Sequence, residues 1–146
     1  MSAKFDIDRA ADLWNAISRL TKKLRKELPV GKRLSHTERS TMASLQQHGS
    51  LLPGELAAME MVTNQSMSQV LNHLNELGYI TRVVSESDKR KVNISLSKDG
   101  EAVLSQLRQE RHEWLVKAIS ETCTPEEQAV LKQVINPLKK LIDFKG

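Results

Sequence analysis

The chain contains few aromatic residues and a single cysteine. Aromatic side chains make up 3% of its 146 residues, so a core must be built from aliphatic residues and methionine. Cys123 alone can form neither an internal disulfide nor a cysteine-based zinc site. The chain has no apolar run of about 18 residues, the length that a transmembrane helix needs. Charged residues interrupt the first twenty positions and argue against a signal peptide, so we expect a cytoplasmic protein that does not enter a membrane.

Patterns that indicate catalysis or metal binding are also missing. The four histidines do not have the spacing of metal ligands, and there is no nucleophile–base pair or phosphate-binding glycine loop. We therefore predict no catalytic residues, no metal site and no cofactor. The net charge of +4 is a modest basic excess that suits an anionic partner without requiring one.

The most informative segment runs from Val62 to Tyr79. Its apolar residues recur at steps of three and four and predict one buried helix face. Thr63 can cap the start of this helix, and Gly78 suits a left-handed C-terminal cap. The other face is polar and has no carboxylate before Glu76. Amide side chains can form two hydrogen bonds with a base edge, and small hydroxyls allow close approach to DNA. The candidate DNA-binding residues of this helix are Thr63, Gln65, Ser66, Ser68, Gln69, Asn72 and His73. The alternative is a half-buried helix whose polar side has no special role.

The residues before this segment predict two further short helices. The Ser35–Glu38 capping box indicates a helix over residues 36–48. Residues 50–52 form a brief segment with two leucines, which predicts a single bridge of strand. Pro53 at a first helical position predicts a helix to residue 59, with Glu55 supplying most of the cap. A tight turn then leads into the polar-faced helix, which is the pattern of a helix-turn-helix.

After Gly78 the hydrophobic period changes from 3.6 to 2. Residues 79–84 and 91–96 predict a β-hairpin with a polar tip between them, so the helix-turn-helix becomes a winged helix. The candidate DNA-binding residues of the wing are Asp88, Lys89, Arg90 and Lys91. An arginine on a hairpin can probe a narrow minor groove, where negative potential is concentrated. The alternative is a solvated charge run at a turn.

The terminal segments predict long helices with broad apolar stripes. Residues 6–28 form one such segment, which Pro29 is expected to end, and residues 98–143 form two more. Pro137 should kink or interrupt the last helix. These stripes exceed what one winged-helix lobe can cover, which indicates an interface. The candidate dimer contacts are Ile7, Trp14, Trp114, Leu115, Leu131, Ile135 and Leu138. The predicted fold is mostly α with a small β-hairpin wing: a single chain, 1–146, with a winged helix-turn-helix lobe at 35–97 and helical dimerisation segments at 6–28 and 98–143.

Several short motifs, together with the order of elements, resemble the MarR family of bacterial transcriptional regulators. The motifs are Glu55-Leu56-Ala57, Ser66-Met67-Ser68, the run from Leu74 to Ile80, Asp88-Lys89-Arg90, and Leu96-Ser97-Lys98-Asp99-Gly100. The resemblance implies a homodimer in which the first, fifth and sixth helices form the dimer lobe. It implies that the central helix enters the major groove and that the hairpin reaches the minor groove. Ser66, Ser68 and Gln69 match DNA-facing positions of the family, and Asp88 matches the acid that orients the wing-tip Arg90.

The function that this resemblance implies is a homodimeric regulator, most simply a repressor, on a pseudo-palindromic DNA operator. A small anionic or aromatic effector would release the DNA, although the sequence does not indicate its pocket.

Gln69 departs from the family, whose members often have arginine there. Asn64 and Gln65 stand where relatives often have proline. The alternative is a winged-helix module for protein–protein assembly that has no DNA site. Binding to bulk duplex DNA at several salt concentrations separates the two, because neutralised phosphates release counterions.

Overall fold

In the computed structural model, which describes residues 4–28 and 34–146, six α-helices and three short β-strands follow one another. The elements are α1 (Ile7–Glu27), α2 (His36–His48), β1 (Ser50–Leu51), α3 (Pro53–Met59), α4 (Asn64–Glu76), β2 (Ile80–Val84), β3 (Val92–Leu96), α5 (Lys98–Thr122) and α6 (Pro125–Asp143). The predicted fold, mostly helical with a small β wing, is confirmed. Pro29, the predicted end of the first helix, lies outside the described residues.

Side-chain caps begin the helices where the sequence predicts them. Ser35 Oγ accepts from the backbone N–H of Glu38 at 3.1 Å, and a Glu38 carboxylate oxygen accepts from the Ser35 N–H at 3.1 Å. Glu55 accepts from the N–H of Leu52 at 3.0 Å, so it caps α3 in place of the leucine. Each bond satisfies a backbone donor that the first helical turn leaves without a partner. Local spacing was therefore enough to predict these boundaries.

The chain divides into two compact units, Met1–Arg108 and Gln109–Gly146. The largest fully buried side chains of the first unit come from α2, α3, α4 and β3: Met42, Leu45, Leu56, Met67, Leu74, Ile94 and Thr41. All five aromatic residues of the chain lie outside the buried set. The core is therefore aliphatic and methionine-rich, as the composition predicts.

The antiparallel sheet has the strand order β1-β3-β2. The hairpin pairs Ile80 with Leu96 and Arg82 with Ile94. On the other edge of β3, Ser50 and Leu51 pair with Ser95 and Ile94. The sheet is thus three-stranded: the sequence predicted the hairpin and a single bridge of strand at 50–52, and the structure has a two-residue strand there. The third strand forms because β3 has a second edge with unpaired backbone groups, and pairing there buries Leu51.

A tight joint connects the wing to α5. The backbone N–H of Ser97 donates to Tyr79 O at 3.0 Å, and its hydroxyl donates to Gly78 O at 2.5 Å. Ser97 Oγ also accepts from the N–H of Gly100 at 3.0 Å, so this serine caps the start of α5. A Cβ atom at Gly100 would lie 2.1 Å from Tyr79 O, well inside van der Waals contact. Only glycine lets α5 begin this close to the chain that leaves α4.

Helix α6 continues through Pro137 as one element. Of the two outcomes predicted for Pro137, an interruption of the helix is therefore wrong, and a kink stays a prediction. Proline removes one backbone donor, so the carbonyl of Gln133 loses its usual partner. Gln133 and Pro137 are both exposed, and water can satisfy that carbonyl. The proline is tolerated because the backbone group that it leaves without a partner is at the surface.

Candidate nucleic-acid interface

Helix α4 is fixed through one face and presents the other to solvent. Met67, Leu71 and Leu74 are buried, with exposed fractions of 0–2%. Six of the seven candidate residues of this segment are exposed: Thr63, Gln65, Ser66, Ser68, Gln69 and Asn72. The helix can therefore approach another molecule without losing the contacts that hold it in the fold.

The N-terminal end of α4 favours an anionic partner. Thr63 Oγ1 accepts from the N–H of Ser66 at 3.0 Å, which confirms the predicted cap. The Thr63 hydroxyl in turn donates to Ser66 Oγ at 3.0 Å, so the Ser66 hydroxyl proton can be donated outward. The first turn of α4 has no acidic residue. The partial positive charge of this helix end is therefore available to a phosphate group.

His73 is the half-buried member of the candidate set. Its Nδ1 contacts the carboxylate of Glu38, so the ring ties α4 to α2. Burial raises the pKa of Glu38. Four interactions lower it: hydrogen bonds with the Ser35 backbone, the His73 ring and the Ser35 side chain, and the charge of His73. Together they outweigh burial, so the pKa of Glu38 lies below its ordinary value of 4.5. His73 therefore helps to hold α4 against α2, and it also lies at the edge of the exposed face of α4.

Asn72 has a partner that the sequence did not indicate. The Arg82 guanidinium on β2 donates from Nη2 to Asn72 Oδ1 at 3.0 Å. Arg82 is exposed, as is every residue of β2 after Ile80. Sequence reasoning missed this pair, because its two members lie ten positions apart on different elements and no local pattern joins them.

The tip of the wing presents three neighbouring cations. Asp88 Oδ1 accepts from the backbone N–H of Arg90 at 3.0 Å and from its Nε at 3.4 Å. The Arg90 side chain is nevertheless 93% exposed, and Lys89 and Lys91 are exposed beside it. The structure thus brings all four candidate wing residues together at one turn, with the half-buried Asp88 beneath Arg90.

The candidate dimer residues lie on poorly covered helices. No described residue of α1 or α6 is buried, and α5 buries side chains only in its first half. Ile7 and Trp14 on α1 are 86% and 70% exposed, and Leu131 and Ile135 on α6 are 39% and 51% exposed. Trp114, Leu115 and Leu138 are half-buried.

Within residues 4–28 and 34–146, no group of three or more His, Cys, Asp or Glu side chains is arranged to hold a metal ion. No helix in the same ranges has both the length and the hydropathy to cross a membrane.

Comparison with known proteins gives one consistent result. Residues 34–92 match the MarR family. An uncharacterised HTH-type transcriptional regulator of Mycobacterium leprae is 31% identical over 138 residues, covering 94% of this chain and 95% of that relative. The crystal structure of a transcriptional regulator protein from Pseudomonas aeruginosa has a TM-score of 0.81 and 28% identity, covering 99% of this chain and 100% of that one. The structure of Streptococcus pneumoniae FabT in complex with DNA has a TM-score of 0.59 and 25% identity, covering 93% of this chain and 94% of that one.

Proposed function

The chain belongs to the MarR family, and on that premise we propose that it is a homodimeric repressor of transcription that binds a pseudo-palindromic operator. Its relatives are HTH-type transcriptional regulators, and one neighbour was solved bound to DNA. Coarsely stated, the chain is a DNA-binding transcriptional regulator. Transcriptional regulation is not an enzymatic activity, and we place it in the bacterial cytoplasm, where the chromosome is.

The observation that carries the proposal is the exposed face of α4. Gln65, Ser68, Gln69 and Asn72 offer short side chains with donors and acceptors, on a helix whose opposite face is packed in the core. A surface helix that serves solubility alone usually carries Lys and Glu on its outer face. Amides and hydroxyls suit the major groove, where base edges present donors and acceptors. In this proposal α4 reads bases.

Two other regions near α4, its N-terminus and the tip of the wing, supply the contacts to phosphates in this proposal. The uncompensated N-terminus of α4 and the cationic wing tip around Arg90 both attract negative charge. Asp88 holds the Arg90 guanidinium beside the turn, which reduces the freedom that the side chain would lose on binding. We propose that Arg90 enters the minor groove next to the major groove that α4 occupies.

The dimer follows from uncovered apolar surface. Ile7 and Trp14 on α1, and Leu131 and Ile135 on α6, are partly or largely exposed. Exposed apolar surface of this extent on a helix usually marks an interface. We propose that a second copy of the chain covers these helices, so that a two-fold axis pairs two α4 helices with two half-sites.

A small anionic or aromatic effector would release the DNA by favouring another arrangement of the dimer.

Binding to duplex DNA tests the function directly. The wild-type chain is titrated into a random 30-base-pair duplex and into duplexes selected from a randomised library, at several salt concentrations. We expect log-log salt dependence with a slope of several phosphate equivalents, and enrichment of inverted repeats. Binding that is absent, or independent of salt, would reject the DNA function in favour of a protein–protein assembly module.

A further inference from the structure

The hydrogen bond between Arg82 and Asn72 joins the wing to the candidate base-reading face. It spans 3.0 Å from Nη2 on β2 to Oδ1 on α4. We infer that Arg82 is a positioning residue that fixes the amide orientation of Asn72 and thereby sets which base Asn72 prefers. This inference rests on the proposed DNA-binding function and adds a specificity-determining residue to it.

Chemistry decides which end of the amide faces Arg82. A guanidinium has five N–H donors and no acceptor, whereas an asparagine amide has one acceptor oxygen and one donor NH2 group. The amide atom 3.0 Å from Nη2 must therefore be the oxygen. The opposite orientation would place two donors against each other. Arg82 thus turns Oδ1 towards the wing and leaves the two N–H donors of Asn72 facing outward.

This orientation changes what Asn72 can recognise. Asparagine reads adenine by accepting from N6 and donating to N7, which requires both ends of the amide to face the base. With Oδ1 directed to Arg82, the outward part of the amide is only a donor. Guanine presents two neighbouring acceptors in the major groove, N7 and O6. We therefore expect Asn72 to favour guanine over adenine at its contact position.

The bond to Asn72 distinguishes Arg82 from an ordinary phosphate-binding cation. Arg82 and Arg90 are both exposed, but the Arg82 guanidinium donates to a side chain of α4, whereas Arg90 lies at the tip of the wing beside Asp88. A phosphate contact would raise affinity for every sequence alike. A positioning residue changes preference at one base pair and acts only through Asn72.

The test compares base preference among four proteins: wild type, Arg82→Met, Asn72→Ala and the double variant. Each protein is used to select duplexes from a randomised library. Versions of the enriched half-site that carry G·C or A·T at one position are then compared by competition binding, one position at a time. Methionine keeps much of the length of arginine and removes its donors. Arg82→Lys, which keeps a donor, is the conservative control, and thermal unfolding confirms that each variant is folded.

We expect wild type and Arg82→Lys to prefer guanine at one position of each half-site. Arg82→Met should shift that preference towards adenine by roughly tenfold, within the range of one bidentate base contact. Asn72→Ala should remove the preference, and adding Arg82→Met to it should change nothing further. If Arg82→Met keeps the wild-type preference, or only shrinks the salt slope by one phosphate equivalent, Arg82 is not a positioning residue. If wild type enriches no sequence, it is the proposed DNA function that fails.

Discussion

At the scale of single residues, we propose that Gln69 reads a base through both ends of its amide. It is exposed near the middle of the outer face of α4, and none of its described contacts uses the amide. We predict that Gln69→Ala weakens binding to the preferred duplex by ~1–3 kcal/mol and binding to random duplex very little. Fluorescence anisotropy with both duplexes measures the difference.

Gln47→Ala is the matched control for this prediction. It removes another exposed glutamine, from the adjacent α2, and should leave both affinities unchanged. Equal losses on preferred and random DNA for Gln69→Ala would show that Gln69 does not read a base.

Arg90 should act through electrostatics instead of base recognition. Its side chain is 93% exposed at the wing tip and interacts with Asp88. We predict that Arg90→Ala weakens binding to preferred and random duplex together and lowers the salt slope by about one phosphate equivalent. Arg19→Ala, an exposed arginine on α1, should leave the slope as it is. If Arg90→Ala leaves the salt slope unaltered, Arg90 does not contact a phosphate and is only a solvated charge at a turn.

At the scale of elements, the joint between the wing and α5 depends on one missing methyl group. A Cβ at Gly100 would lie 2.1 Å from Tyr79 O, a backbone atom that cannot move aside as a flexible side chain can. We predict that Gly100→Ala destabilises the fold by ~1–3 kcal/mol, the usual range for overpacking. Gly54→Ala is the control, because a Cβ there meets nothing within 4 Å and alanine favours the helix. Urea unfolding that ranks the two variants equally would contradict this account.

The contact between α2 and α4 should make stability depend on acidity. The folded-state pKa of Glu38 lies below its ordinary value of 4.5, so its ionised form stabilises the fold. That stabilisation is fully present above pH 4.5 and is lost as the pH falls through the lower, folded-state pKa. We predict that Glu38→Gln is less stable than wild type near neutral pH and that the two converge on acidification.

Thermal unfolding between pH 3 and 7 measures this convergence. Glu86→Gln changes an exposed carboxyl on the wing and serves as the matched control. A constant gap between Glu38→Gln and wild type at every pH would mean that the charge of Glu38 contributes nothing to stability.

At the scale of the whole molecule, the uncovered helices predict a dimer. We expect the 16.5 kDa chain to sediment at twice that mass at micromolar concentration. Ile135→Asp should produce monomers, because it places a carboxylate in the proposed apolar interface. Asn136→Asp, one residue along α6 and away from the apolar stripe, should leave the dimer intact.

Dimerisation and operator binding should be lost together. A two-fold dimer presents two α4 helices to half-sites about 10 base pairs apart, centre to centre. Ile135→Asp should therefore lose the preference for inverted repeats while each lobe keeps weak binding to random duplex. A wild-type chain that sediments as a monomer would remove the reason for a palindromic operator.

The sequence by itself determined the order and the ends of the elements. Caps such as Ser35 and Thr63 bond backbone groups three residues away, and helix or strand periodicity repeats within a few positions. Both depend on separations along the chain, so spacing alone predicts them. The same local signals identified the exposed face of α4 and the wing tip, and the short motifs identified the family.

Only the tertiary structure decided which distant residues meet. Arg82 with Asn72, His73 with Glu38, and Gly100 against Tyr79 are contacts across elements, fixed by how the core packs. The two-residue strand at Ser50 and the continuous α6 also depend on tertiary context, since the first needs a free edge of β3 and the second needs solvent exposure at Pro137. Such contacts lie ten to forty-five positions apart in the chain, and no local period encodes which partner a side chain finds.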